Sequence, residues 1–111
     1  MTHNYFGLEE ESYYIIIDAL SDYDFIDDIL VFGSRAMGNE KTGSDIDLAL
    51  VGEDIQYEDV LNISSLLNEE APIPYYVDVV HYDSLSNKDL KDHIINEGQA
   101  LFKYEHLRSF K

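Results

Sequence analysis

Asp45 and Asp47 stand one residue apart at the head of an apolar run in VFGSRAMGNEKTGSDIDLALVG, residues 31–52. Side chains on a strand alternate faces, so these two carboxylates point one way while Ile46, Leu48 and Leu50 point the other. Their Cα atoms are then about 6.5 Å apart. Ionised carboxylates drawn away from water are costly unless something compensates them. Hard divalent cations suit such oxygen ligands, Mg²⁺ above all, because it keeps several waters and shares one or two carboxylates with substrate phosphates.

The residues upstream supply the other half of that chemistry. Gly33 lets backbone approach a ligand closely. Ser34 offers a hydroxyl and opens a short helical turn, SRAMG, whose free N–H groups favour an anion. Arg35 or Lys41 adds positive charge, and before Lys88 these two are the only basic residues in the chain. A single cationic spot beside two aspartates points to a small anionic ligand held locally. Asp78 is a third carboxylate, set between Val77 and Val79 and sharing a face with Tyr76 and Val80. If its strand neighbours DIDLAL, three carboxylates facing two Mg²⁺ ions form the clamp used for in-line displacement at phosphorus. Asp78 then also helps deprotonate the attacking hydroxyl, the task of a general base. An Asp-x-Asp pair alone more often marks a solvated strand face; the upstream Gly-Ser and the interrupted apolar strand carry the sharper reading.

Several elements must position these residues. Leu8, Ser12, Ile15, Ile16, Ala19, Leu20 and Tyr23 recur at helical spacing, predicting a first helix over residues 8–21. Tyr13, Tyr14 and Ile17 widen its apolar stripe beyond one core face, which leaves core packing or a partner surface open. EEE (Glu9, Glu10, Glu11) fits a first helical turn, where acids meet the positive end of the dipole. DILVF reads as a short buried strand and DIDLALV as a second. Tyr57, Val60, Leu61, Ser64 and Leu67 predict a second helix that stops before Pro72, and YYVDVVHY a third strand. Ser86 with Asp89 resembles a capping box opening a helix that carries Leu90, Ile94 and Ile95 and stops at Gly98. QALFKY fits a strand or a helical turn equally. Strands separated by helices imply an α/β or α+β sheet with helices packed on it; strand order does not follow. His81 has the opposite parity to Asp78 and should face away from the site, while His3, His93 and His106 show no ligand spacing.

The 111 residues suffice for one domain with one core and no second substrate domain. With no cysteine, disulfides and thiolate metal sites are excluded. The start MTHNYFGLEEESYY lacks a basic region and a long apolar stretch, and YYIII is too short to span a bilayer, so a soluble, cytoplasmic protein is expected. A formal net charge of −16, from 23 acidic against 7 basic side chains, disfavours nucleic acid and anionic membrane. It favours solubility or a basic protein partner.

GSRAMGNEKTGSDIDLAL followed by VDVV resembles the minimal nucleotidyltransferases (MNT) of the DNA polymerase β superfamily, whose signature is Gly-Ser, a spacer, Asp-x-Asp and a later acidic residue. The resemblance is strongest over residues 29–82. It implies a small mixed β-sheet flanked by helices, with ATP as substrate and two Mg²⁺ ions. Gly33, Ser34, Arg35, Lys41 and Ser44 would contact the nucleotide; Asp45, Asp47 and Asp78 would bind metal and carry catalysis. Where many relatives have a second basic residue this chain has Met37, so Arg35 acts alone. With no room for an acceptor domain, the resemblance points to the MNT proteins paired with HEPN-type ribonuclease toxins, which they silence by transferring AMP to a tyrosine hydroxyl. An acidic antitoxin on a more basic toxin agrees with the charge. Two alternatives stay open: an MNT-fold antitoxin that neutralises by binding alone, and an adenylyltransferase for small molecules such as antibiotics.

Overall fold

Alternating apolar residues in three short runs build the sheet, and the helices between them cover it. The computed structural model describes residues 5–41 and 43–103. In chain order the elements are α1 (Glu10–Leu20), β1 (Asp28–Phe32), α2 (Ser34–Met37), β2 (Ile46–Val51), α3 (Tyr57–Ser65), β3 (Val77–His81), α4 (Lys88–Glu97) and β4 (Gln99–Ala100). A π-helical turn, Leu66–Glu70, continues α3, and a 3₁₀ turn, Tyr82–Ser84, follows β3. His3, His106 and Tyr104 lie outside the described residues.

The sheet order is β3-β2-β1-β4. β1 runs antiparallel to β2 and β4, whereas β2 and β3 are parallel. The result is a small mixed sheet flanked by helices, as the sequence implied. The parallel pair is possible because α3 and its π turn carry the chain back between them, as a parallel connection requires.

Register divides the sheet into two faces. Ile29 and Val31 of β1, Ile46, Leu48 and Leu50 of β2 and Val77 of β3 join the larger core with Tyr13, Ile16, Ile17 and Leu20 of α1 and Ile63 of α3. On the other face Phe32 and Ala49 pack with Ile94 of α4, flanked by Leu30, Val80 and Leu90. Ile94 is fully buried, worth about 1.5–3 kcal/mol over an exposed position. Among the described residues no helix is long and apolar enough to cross a membrane.

Two open readings close and one expectation changes. Tyr13, Tyr14 and Ile17 are buried, so the wide stripe of α1 is core and not a partner surface. Its cause is Tyr5, whose ring stacks 5.0 Å from Tyr13 and 5.8 Å from Tyr14, covering what would otherwise be an outer flank. The cap of α4 is Asn87, whose side chain accepts from Leu90 N; Ser86 stands one residue too early. Gln56 and Asp59, not singled out in the sequence, form a reciprocal capping box on α3. QALFKY turns out to be both things, a two-residue strand followed by a 3₁₀ turn over residues 101–103.

Candidate active site

Asp47 sits at the meeting point of three strands. It is in register with Phe32 of β1 on one side and with Asp78 of β3 on the other. Residues paired in register share a face, so both carboxylates lie on the face that α4 covers, level with Phe32 at the end of the apolar packing. Neighbouring strands run about 4.8 Å apart, which brings Asp47 and Asp78 into each other's field. Asp45 immediately precedes β2 and is exposed, like Asp78, while Asp47 is half-buried.

The turn after β1 fits around that carboxylate. Gly33 has φ 76° and ψ −154°, a conformation that a side chain makes costly. A Cβ there would also stand 2.4 Å from Asp47 Oδ2. The glycine is therefore needed twice, for its dihedrals and for the space Asp47 occupies. Ser34 then begins the single turn of α2, closed by Gly38 in the left-handed region with its N–H on Ser34 O.

Burial raises the Asp47 carboxyl above the usual carboxylate range, and the negative charges of Asp78 and Asp45 push it further; His93 pulls it partly back. His93 shows no ligand spacing in the sequence, yet its charge reaches Asp47. It lies on α4 one position before the inward Ile94, with its ring edge-on to Phe32 at 6.4 Å. Its spacing of three from Leu90 was a visible signal, but which sheet face α4 covers was not.

Arg35 takes a different place from the one expected. It is 3 % exposed. Its Nε and one terminal nitrogen donate to Ser44 O at 3.1 and 2.7 Å, the other terminal nitrogen donates to Phe6 O at 2.9 Å, and the guanidinium lies 4.9 Å from the centre of the Tyr75 ring. It ties the Gly-Ser turn to the loop before β2. Ser44 completes that tie, its hydroxyl accepting from Lys41 N at 2.9 Å. Lys41 is exposed. With Gly7, Arg35, Glu40, Gly43 and Tyr75 it lines a recess of about 200 Å³ at the same end of the sheet. His81 is engaged at the far end of β3, bonded to Gly52 O and to Ser84 Oγ, both at 2.7 Å.

Among the described residues, no three His, Cys, Asp or Glu side chains are gathered as a ready metal site. The donor set nonetheless fits a hard cation: three carboxylates at one sheet end, the central one partly desolvated and facing like charge.

Residues 15–107 match the family model described as polymerase beta, nucleotidyltransferase. No curated protein matches the chain. Its structure resembles a chain of a toxin–antitoxin complex solved with AMP-PNP, with a TM-score of 0.67 and 25% identity over 80% of this chain and 71% of that one. It also resembles a chain of the complex between a tri-AMPylated Shewanella oneidensis HEPN toxin and its MNT antitoxin. There the TM-score is 0.64 and the identity 21%, over 89% of this chain and 76% of that one. A chain of an MntA–HepT toxin–antitoxin complex gives 0.63 at 21%, over 88% and 75%. The last two are likenesses of fold.

Proposed function

The chain belongs to the polymerase beta nucleotidyltransferase family, and on that premise we propose that it transfers AMP from ATP to a hydroxyl of a HEPN-type toxin, a tyrosine in the first instance, and so acts as its antitoxin. The observation that carries this reading is the register pair Asp47–Asp78 set against the side-chain-free Gly33. Such a pair has no use in folding, because it costs stability wherever both groups are ionised.

In the reaction the acceptor oxygen bonds to the α-phosphorus, the bond from that phosphorus to the bridging oxygen breaks, and pyrophosphate leaves. The acceptor proton departs to a base. Asp78, exposed at the start of β3, is the carboxylate placed to take it. Gly33 and Ser34 bring main-chain N–H groups to the triphosphate, with Lys41 as the exposed cation beside them. Arg35 serves by holding the Gly-Ser turn against Ser44. Asp45, Asp47 and Asp78 would hold Mg²⁺, two ions in the family pattern, which neutralises charge developing on the phosphates. The acidic surface suits a basic partner protein.

Labelled ATP tests the reading. Incubated with the chain, Mg²⁺ and its HEPN-type partner, ATP labelled at the α-phosphate should mark the partner and ATP labelled at the γ-phosphate should not. Marking from the γ position would make it a phosphoryl transferase instead. One observation favours the binding-only alternative: the Arg35 guanidinium is committed to main-chain carbonyls, which leaves less free positive charge for ATP. Complete neutralisation of the toxin without any label would establish that alternative.

A further inference from the structure

β3 is the edge of the sheet, with β2 as its only strand partner among the described residues. Ile46 N donates to Tyr76 O at 2.9 Å, so the main-chain groups of Tyr76, Asp78 and Val80 turn toward β2. Those of Val77 and Val79 turn outward. At Val77 the outward pair is already occupied: the Asn68 side chain accepts from Val77 N at 2.7 Å and donates to Val77 O at 2.8 Å, as a neighbouring strand would. One residue pair further on, the edge at Val79 is open.

An apolar recess of about 250 Å³ lies beside that open edge, lined by Tyr57 and Val60 of α3, Val79 and Val80 of β3, and Leu85. Exposed apolar side chains belong to the recess and to the elements that form it. Tyr57 is 75 % exposed and Leu61, one helical turn on, 50 %; Tyr76, just before β3, is 56 % exposed. A free strand edge and an uncovered apolar recess on the same side of a molecule are each a liability unless something seats there. Acidic residues flank the recess in sequence. Glu58, next to Tyr57, is exposed. Asp83, next to Ser84, accepts from Gly52 N and lies 3.7 Å from His81, which with Ser84 completes the lining. A second copy of this chain, with a formal net charge of −16, would meet like charge there. An extended segment bearing basic and apolar residues would meet its complement.

The same strand carries Asp78. At about 3.3 Å per residue, a chain laid along β3 from Val80 passes the carboxylates within two or three residues. The Asn68 amide stops it from continuing along the edge, so its next residues turn onto the face where Asp47 and Asp78 lie.

We propose that the open edge of β3 and the recess beside it receive an extended, basic and apolar segment of the acceptor protein, added to the sheet as a fifth strand that delivers its hydroxyl to Asp78. This rests on the transfer reading above, and extends it from a chemistry to a mode of acceptor recognition. Main-chain bonds to Val79 supply register, and an apolar side chain in the recess supplies the anchor.

Two substitutions and one exchange measurement test it on the full chain with its HEPN-type partner. Val79→Pro removes the outward N–H and spares the ladder to β2, which Asp78 and Val80 make. Tyr57→Glu changes an exposed side chain and leaves the core untouched. Each should raise the KM for the partner tenfold or more while the affinity of the free chain for AMP-PNP stays as it was. In the wild-type complex the Val79 amide should exchange its hydrogen more slowly than in the free chain. Transfer at wild-type KM by Tyr57→Glu, with Val79 exchanging as freely as before, overturns the docking and leaves the reaction standing. Protection of Val79 in a complex where the partner gains no AMP supports the docking and removes the transfer reading instead.

Discussion

Arg35 and Asp47 carry opposite charges on one short segment, and both are drawn out of water, yet their surroundings differ in kind. Arg35 is matched on every side: two carbonyls of the main chain accept from its nitrogens and an aromatic ring lies against it. Asp47 faces two more carboxylates and is raised above the ordinary carboxylate range by burial and by that company. Among the described residues no hydrogen bond reaches its carboxylate. A buried charge that the fold satisfies is structural. A half-buried carboxylate that faces like charge and keeps its oxygens open to solvent is placed to receive a cation from outside, and perturbed groups gather at functional sites for that reason.

Removing each charge should therefore shift stability in opposite directions. Arg35→Ala strands Ser44 O and Phe6 O in the interior and should cost about 3 kcal/mol in urea denaturation, since hydrogen bonds to a charged group are worth roughly 1.5–3 kcal/mol. Arg35→Lys keeps the charge but loses the planar fork, and should fall between the two. A loss no larger than that of an ordinary surface substitution would move Arg35 from the structural side of the comparison to the functional one.

Gly33→Ala comes next. The positive φ with ψ −154° alone costs on the order of 1–3 kcal/mol for an L-residue, and the new Cβ displaces the Asp47 carboxylate as well. In an Asp47→Ala background the clash disappears and the strain of φ remains, so a double-mutant cycle separates the two. Additive effects would mean that Gly33 and Asp47 do not touch.

The smallest effect has the most telling sign. The folded state holds the Asp47 proton more tightly than the unfolded chain does. The stability this group contributes is thus present at low pH, and is lost as pH rises from the ordinary carboxylate value through the raised folded one. Asp47→Asn should therefore stabilise the metal-free protein near neutral pH by a few tenths of a kcal/mol, after allowance for solvent screening. Thermal melts at about pH 4 and about pH 7 check it: the gain belongs at the higher pH only. A destabilised Asp47→Asn would place Asp47 among the structural charges.

Much of this was legible in the residues. DILVF is β1 to the residue, because a run of β-branched and aromatic side chains bounded by acids and glycine permits little else. Parity alone put Asp78 and His81 on opposite faces. The condition on which the site depended, β3 beside β2, needed the sheet order, which local pattern does not contain. Arg35 beside Gly-Ser reads as a phosphate ligand until Phe6, far away in sequence, supplies a carbonyl. The nearness of His93 to Asp47 was hidden for the same reason: it depends on how α4 lies across the sheet. Local chemistry could be read from the sequence; contacts made by chain return could not.

The central claim is that the charge of Asp47 exists for transfer and not for folding. Asp47→Asn keeps the shape and removes the charge, so the intact mass of a HEPN-type partner incubated with ATP and Mg²⁺ tests it most directly. Wild-type chain should add whole AMP units to the partner, and the variant, folded and still bound to it, should add at least a thousandfold fewer per unit time, roughly 4 kcal/mol of lost transition-state stabilisation. Equal modification by the two proteins would contradict the account.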